Sequence, residues 1–174
     1  MNIFKKITIS FIILTLSSGN LSAEVPHYLD FRYILNQSEA GKKAQSFLKK
    51  KLTNGIDKVK KKETKLQEDE KKLIQQKKLI SAEEYRKKVG ELRQNVSNIR
   101  NERNKLLESV AKQRAQARSE LLKNLNPIMK EYMKSNKIRM VIDKKSMLLA
   151  DENLDITKDI MKILNSKIKS IKLN

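Results

Sequence analysis

Residues 49–126 decide the fold, and they read KKKLTNGIDKVKKKETKLQEDEKKLIQQKKLISAEEYRKKVGELRQNVSNIRNERNKLLESVAKQRAQARSELLKNLN. Apolar residues recur every seven positions in the first half, and in steps of four and three in the second half. This spacing is typical of helices that pair along a coiled-coil seam. No proline lies between Pro26 and Pro127, so continuous helix is allowed. The predicted seam consists of Leu52, Val59, Leu66, Leu73 and Ile80, followed by Tyr85, Val89, Leu92, Val96, Ile99, Leu106, Val110 and Ala117.

A break between the two halves is predicted at Ser81. Ser81 and Glu84 have the spacing of a capping box, which starts a new helix. A tight turn there would fold the second helix back along the first as an antiparallel hairpin. The alternative is one unbroken helix in a parallel coiled coil, and the cap at Ser81 is the only feature against it. In the hairpin, positions whose numbers sum to 162 face each other: Leu73 with Val89, Leu66 with Val96, Ile56 with Leu106, and Leu52 with Val110.

The predicted seam is imperfect. At four positions a charged residue faces an apolar one, and each apolar pair lost in this way gives up about 1.5–3 kcal/mol of burial. Gly55 and Gly90 each cost about 1 kcal/mol in a helix relative to Ala. We therefore expect an arm on the order of 60 Å long that is helical, loosely packed and without a core of its own. The mismatched pairs are Glu63 with Ile99, Glu70 with Leu92, Lys77 with Tyr85, and Arg103 with Val59.

The N-terminus resembles a secretory signal peptide over residues 1–23. Lys5 and Lys6 precede an apolar run at 7–16, and Leu21-Ser22-Ala23 is similar to a small-residue cleavage site. The apolar run is about half the roughly 20 residues that a membrane-spanning helix needs. We therefore expect export to the periplasm with cleavage after Ala23, and an uncleaved anchor is the alternative.

The charge of the chain is strongly positive. Lys and Arg outnumber Asp and Glu by 39 to 20 in the 174 residues, for a net charge of +19, and most of the excess lies at 42–123. This pattern indicates either solvated helix faces or a surface that attracts anionic partners. The best cluster is Arg86, Lys87 and Lys88, the candidate contacts for an anionic partner near the arm tip. Nucleic acid is disfavoured as a partner, because the chain is exported and no aromatics alternate with the basic runs.

The sequence contains no catalytic constellation. His27 is the only histidine, cysteine is absent, and the acidic cluster at 68–70 has no His near it. No glycine-rich phosphate loop or Walker pattern occurs. We therefore predict that the protein is not an enzyme and has no cofactor, no metal site and no use for ATP.

The two ends of the chain, 24–48 and 127–174, are predicted to meet in a small body. From the first end we expect a strand near 25–30 and a helix capped by Ser38. From the second end we expect a strand at 138–143, a second strand that forms a hairpin with it at 146–150, and a last helix after Asp155. The fold class is thus mostly α with a small β part (α+β), in which the arm at 49–126 projects from the body. So small a body is marginal alone and would gain from oligomerisation. Its candidate oligomer core is Val141, Ile142, Leu148, Ile156 and Ile160.

Several stretches resemble the Skp/OmpH family of periplasmic chaperones. They are DFRYIL at 30–35, SEAGKKA at 38–44, LISAEEY at 79–85 and VID at 141–143, followed by DIT at 155–157. The resemblance covers nearly all of the chain after the signal peptide, in matching order. The sequence departs from the family pattern at Pro26 and His27, where the family usually has an unbroken apolar strand.

The resemblance implies a function and an assembly. Members of that family are homotrimers whose arms surround a cavity that holds unfolded outer-membrane proteins without ATP. The same activity is therefore expected here, as a periplasmic holdase chaperone. The alternatives are a structural coiled-coil tether and a protein that binds lipopolysaccharide or another anionic surface.

Overall fold

The computed structural model describes residues 25–173, so the predicted signal peptide at 1–23 lies outside the described residues. The fold is mostly helical with a small β part, as the sequence predicts. Two short 3-10 turns, Lys144–Ser146 and Glu152–Leu154, lie between the last strand and the last helix. The main elements are β1 (His27–Leu29), α1 (Phe31–Gln37), α2 (Glu39–Gln76), α3 (Ala82–Ser135), β2 (Val141–Asp143) and α4 (Thr157–Lys167).

The arm is a hairpin of the two long helices. Helix α2 has 38 residues and α3 has 54, and they pack against each other along the arm. The turn ends at Ser81, whose Oγ accepts a hydrogen bond of 3.1 Å from the Glu84 N–H. This bond satisfies one of the free donors at the start of α3. The predicted turn and cap are therefore confirmed, and the unbroken helix is excluded.

The register of the hairpin agrees with the predicted pairing. Lys62 donates to Glu102 across the seam at 2.6 Å, and Lys51 donates to Ser109 at 2.8 Å and to Gln113 at 2.9 Å. The numbers of each pair sum to within two of 162. Register could be predicted because the heptad spacing and the position of the turn together leave one alignment of the apolar residues.

Gly55 has a packing role that the sequence did not indicate. A Cβ at Gly55 would lie 2.4 Å from Leu106 Cδ2, whereas a Cβ at Gly90 would meet nothing within 4 Å. Leu106 therefore fills the space that the missing side chain leaves, and the expectation that Gly55 simply softens the arm is incomplete.

We expect opposite results from alanine at these two glycines. Gly90→Ala should raise the free energy of unfolding by about 1 kcal/mol, because Ala loses less backbone entropy in a helix. Gly55→Ala should lose this gain, since moving Leu106 in a packed seam costs about 1–3 kcal/mol. Urea unfolding followed by circular dichroism would measure both variants, and equal gains would show that Leu106 gives way freely.

The body is held by a parallel pair of strands. His27, Tyr28 and Leu29 of β1 align with Val141, Ile142 and Asp143 of β2. The Ile156 N–H then donates to the Tyr28 carbonyl at 3.0 Å, which ties the start of α4 to the other side of β1. The predicted hairpin between 138–143 and 146–150 is wrong. A 3-10 turn follows β2 directly, and β2 takes its partner from the start of the chain.

One core joins the body to the base of the arm. Ile34 of α1 and Ile160 and Leu164 of α4 have no exposed surface, and they cluster with Leu121 and Leu125 of α3. Helix α3 is therefore shared, because its first part forms the arm and its last part belongs to the body core.

Helix α3 ends at Ser135, and Asn136 is its C-cap. The helix continues through Pro127 without a break. Lys137 takes a positive φ of 57°, the Ile138 N–H donates to the Met133 carbonyl at 2.9 Å, and the Lys137 N–H donates to the Lys134 carbonyl at 3.4 Å. This pattern is a Schellman motif, which satisfies the last carbonyls of a helix and turns the chain. It directs the chain into β2.

Candidate interaction surfaces

The tip of the arm is basic and apolar together. Arg86 and Lys87 are exposed, whereas Lys88 is half-buried and pairs with Glu84 at 3.0 Å. Leu79 in the turn is 82% exposed. Of the three predicted contacts, Arg86 and Lys87 are thus the better placed for an anionic partner, and the charge of Lys88 is offset within its own helix.

Apolar side chains also lie exposed along the two long helices. Phe47, Ile74, Val96 and Leu107 each expose close to half of their surface or more. Sequence reasoning missed Phe47 and Leu107, because it followed only the seam. Leu107 comes directly after the seam residue Leu106, and in a helix neighbouring residues do not share a face. An apolar residue directly after a seam residue could therefore have identified Leu107 as exposed.

The seam opens near the middle of the arm. Val59 and Leu73 are buried on either side of this region, but Val96, which the register pairs with Leu66, is 45% exposed. A cleft of about 280 Å³ lies between the two helices there. It is lined by Glu63 and Leu66 of α2 and by Val96, Ile99, Arg100 and Arg103 of α3. The predicted mismatch of Glu63 with Ile99 falls at this cleft.

The predicted oligomer-core residues are found in three environments. Ile156 and Ile160 are buried in the chain's own core, so their side chains offer no surface to a partner. Val141 and Ile142 are half-buried in β2. Leu148 is fully exposed in the segment after β2. Leu148 is thus the most open of the five to direct contact with another molecule, and Val141 and Ile142 are open only in part.

Further apolar surface adjoins Leu148. The next residue, Leu149, is also largely exposed, and so is Met140 directly before β2. Leu148 and Leu149 line a cleft of about 520 Å³ with Tyr28 and Lys144. Leu148 and Leu149 therefore leave adjoining apolar side chains exposed on the body.

Asp155 forms an ion pair with Lys144 in that cleft. Burial works to raise the pKa of its carboxyl, but hydrogen bonds from Thr157 and the Lys144 ammonium 3.6 Å away outweigh burial and hold the pKa below its ordinary value. The Thr157 N–H donates to Asp155 at 2.8 Å. The ionised carboxylate therefore fixes the start of α4 beside β1.

Residues 25–173 contain few side chains of the kinds that form catalytic or metal sites. No group of three or more His, Cys, Asp or Glu there could hold a metal ion. His27 contributes its backbone to the sheet, where its N–H donates to the Met140 carbonyl at 3.1 Å. No helix within the described part of the chain is long and apolar enough to cross a membrane.

The geometry defines an elongated helical protein that presents extended basic and apolar surfaces rather than an enclosed site. The chain belongs to the OmpH-like family of outer membrane proteins, whose model matches residues 27–164. Its fold is similar to a crystal structure from Caulobacter crescentus described as an OmpH-like outer membrane chaperone. The two share 18% sequence identity with a TM-score of 0.79, over 90% of this chain and 94% of the other. A search of curated proteins found no match.

Proposed function

We propose that this protein is a periplasmic holdase chaperone, which binds unfolded outer-membrane proteins without ATP between the arms of a homotrimer. The observation that carries the proposal is the arm itself, whose exposed Ile74 and Val96 lie on a strongly basic helical surface. An unfolded protein offers apolar side chains to such a surface, and charge brings an acidic chain to it. Membership of the OmpH-like family and the described role of the Caulobacter protein support the proposal.

The homotrimer rests on the body. Leu148, Leu149 and Met140 leave apolar surface open to water in the single chain, and a body of this size gains from association. A partner chain that covered them would also hold neighbouring arms around a shared space. Each arm is fixed to its own body by the shared core of α3, so joining the bodies would set how the arms stand relative to one another.

The decisive experiment is an aggregation assay on the mature chain. An unfolded β-barrel membrane protein is diluted from urea with and without the chain at equal molar amounts, and light scattering is followed while the oligomeric mass is measured. A chaperone suppresses scattering with no added nucleotide. A structural tether would leave scattering unchanged and would capture one folded partner instead, and this result would overturn the proposal.

Capture should depend on salt through its rate. Because long-range charge mainly sets how fast partners meet, raising the ionic strength should slow association of the unfolded client and should change its release little. Stopped-flow mixing of a labelled client at low and high salt would measure both rates. An association rate that does not change with salt would show that the basic arms are only solvated faces.

The arm tip favours a second candidate activity, binding to lipopolysaccharide or another anionic surface. Exposed Leu79 lies near Arg86 and Lys87, a combination that suits the boundary between headgroups and acyl chains. Replacing Arg86 and Lys87 by Gln should weaken binding to anionic lipid vesicles by about tenfold or more, since each basic residue contributes about 1 kcal/mol there. Vesicle co-sedimentation would measure the effect.

The matched control for this variant removes the same charge elsewhere. Lys60 and Lys61 are exposed near the middle of α2, and replacing both by Gln lowers the net charge equally. Weaker binding by the tip variant alone would assign the contact to the tip. Equal losses in both variants would mean that only the total charge matters.

A further inference from the structure

We propose that the mid-arm cleft is a binding site for one aromatic side chain of an extended, unfolded client. The inference rests on the proposed chaperone function and adds to it a site of defined chemistry. The cleft comprises the six residues named above, Glu63, Leu66, Val96, Ile99, Arg100 and Arg103, and it opens to solvent where the neighbouring seam is closed.

The size of the cleft suits one aromatic ring. Its volume is about 280 Å³, and a closed apolar cavity of about 150 Å³ in another protein is large enough to take up benzene. Leu66, Val96 and Ile99 supply an apolar floor between the helices. A bound ring would cover the exposed part of Val96, which the pairing of the two helices leaves open.

The rim of the cleft selects an aromatic ring over an aliphatic side chain. Arg100 and Arg103 lie at the rim, and Glu63 is the single carboxylate of the cleft, so the cleft has an excess of positive charge. A guanidinium stacks favourably on the face of an aromatic ring. The same positive excess suits acidic residues near that ring in the client.

The arm has no aromatic side chain of its own to fill the cleft. Tyr85 is the only aromatic residue between 49 and 126, and it lies at the tip, where Lys77 stands 5.8 Å from its ring. An aromatic ring of a client therefore meets no competing aromatic side chain from the arm. Strands of outer-membrane barrels carry aromatic girdles at both membrane interfaces, so the proposed clients offer such side chains regularly.

The absence of tryptophan from the chain makes a direct test simple. The probe is a short soluble peptide of Gly, Ser and Asp with one central Trp, and its fluorescence anisotropy reports binding to the mature protein without background. Val96→Phe places a ring from the arm itself in the cleft and should weaken binding about tenfold or more. Leu107→Phe makes a similar change at an equally exposed residue outside the cleft, 46% against 45%, and should leave affinity unchanged.

A second variant keeps the test decisive if Val96→Phe disturbs the arm, which circular dichroism would reveal. Arg103 is exposed, so Arg103→Gln should leave the helices intact and weaken the Trp peptide about threefold through the lost cation–π contact. A peptide with Ala in place of Trp should compete poorly. Equal binding by both Phe variants, unchanged binding by Arg103→Gln, or equal competition by the Ala peptide would each overturn the site.

The aggregation assay separates failure of the cleft from failure of the chaperone function. If the wild-type protein suppresses aggregation but the Trp peptide binds Val96→Phe and Leu107→Phe equally, only the cleft is excluded. If the wild type does not suppress aggregation, the chaperone function itself fails.

Discussion

Replacing Leu148 by Asp is expected to dissociate the oligomer into folded monomers, whereas replacing Ile160 by Asp is expected to unfold the chain. Leu148 is fully exposed and Ile160 fully buried in the single chain. A charge at an exposed position changes monomer stability by less than about 0.5 kcal/mol. In a trimer, however, the three introduced carboxylates would enter an apolar interface without partners, and each would cost several kcal/mol.

Ile160→Asp acts inside one chain. The change removes a fully buried apolar side chain, which costs about 1.5–3 kcal/mol, and leaves an unpaired carboxyl in the core, which costs a further few kcal/mol. Together these losses approach the whole stability of a typical small domain, about 5–15 kcal/mol. Tertiary structure in the body should therefore be lost at any protein concentration.

Mass by light scattering and helicity by circular dichroism would separate the two variants. Leu148→Asp should keep its helices at one third of the wild-type mass, and Leu107→Asp on the arm is the control that should stay assembled. A Leu148→Asp protein that assembles as tightly as the wild type would exclude this segment from the interface. It would also remove the main support for the trimer.

The features that sequence reasoning predicted correctly are the local ones. The turn at Ser81 could be predicted from the capping box alone, which spans only Ser81 to Glu84. The N-cap at Ser38 is equally local. The register of the arm is long-range, but a repeated heptad and one fixed turn reduce it to a single choice.

The features that were missed depend on distant parts of the chain. Pairing of β1 with β2 in parallel joins residues more than a hundred positions apart, and neither three-residue strand carries a pattern that names its partner. The 146–150 segment is mostly apolar, so it fitted the second strand of a hairpin, but Leu148 and Leu149 remain largely exposed. The sequence predicted a mismatch at Glu63. The cleft at Glu63 depends on the distance between the two helices, and the spacing of residues along the sequence does not determine that distance.

Gly41→Ala is expected to loosen the junction of body and arm. A Cβ at Gly41 would lie 2.0 Å from the Leu35 carbonyl oxygen and 2.9 Å from the Leu35 carbonyl carbon. Both are backbone atoms, so the end of α1 must move away from α2. That movement would also disturb Ser38, whose buried Oγ accepts a hydrogen bond of 3.1 Å from the Gly41 N–H.

The net effect of Gly41→Ala should be a loss of stability. Ala in a helix gains about 1 kcal/mol over Gly, but overpacking typically costs about 1–3 kcal/mol, and losing an N-cap bond costs about 1 kcal/mol more. Urea unfolding should therefore show a loss of about 1–3 kcal/mol, with Gly90→Ala as the control that gains. Hydrogen exchange should rise in α1 and the first turns of α2 while amides near Ser81 stay unchanged. If Gly41→Ala is as stable as the wild type, the close approach of α1 to α2 is not required, and the arm is anchored by the shared core of α3 alone.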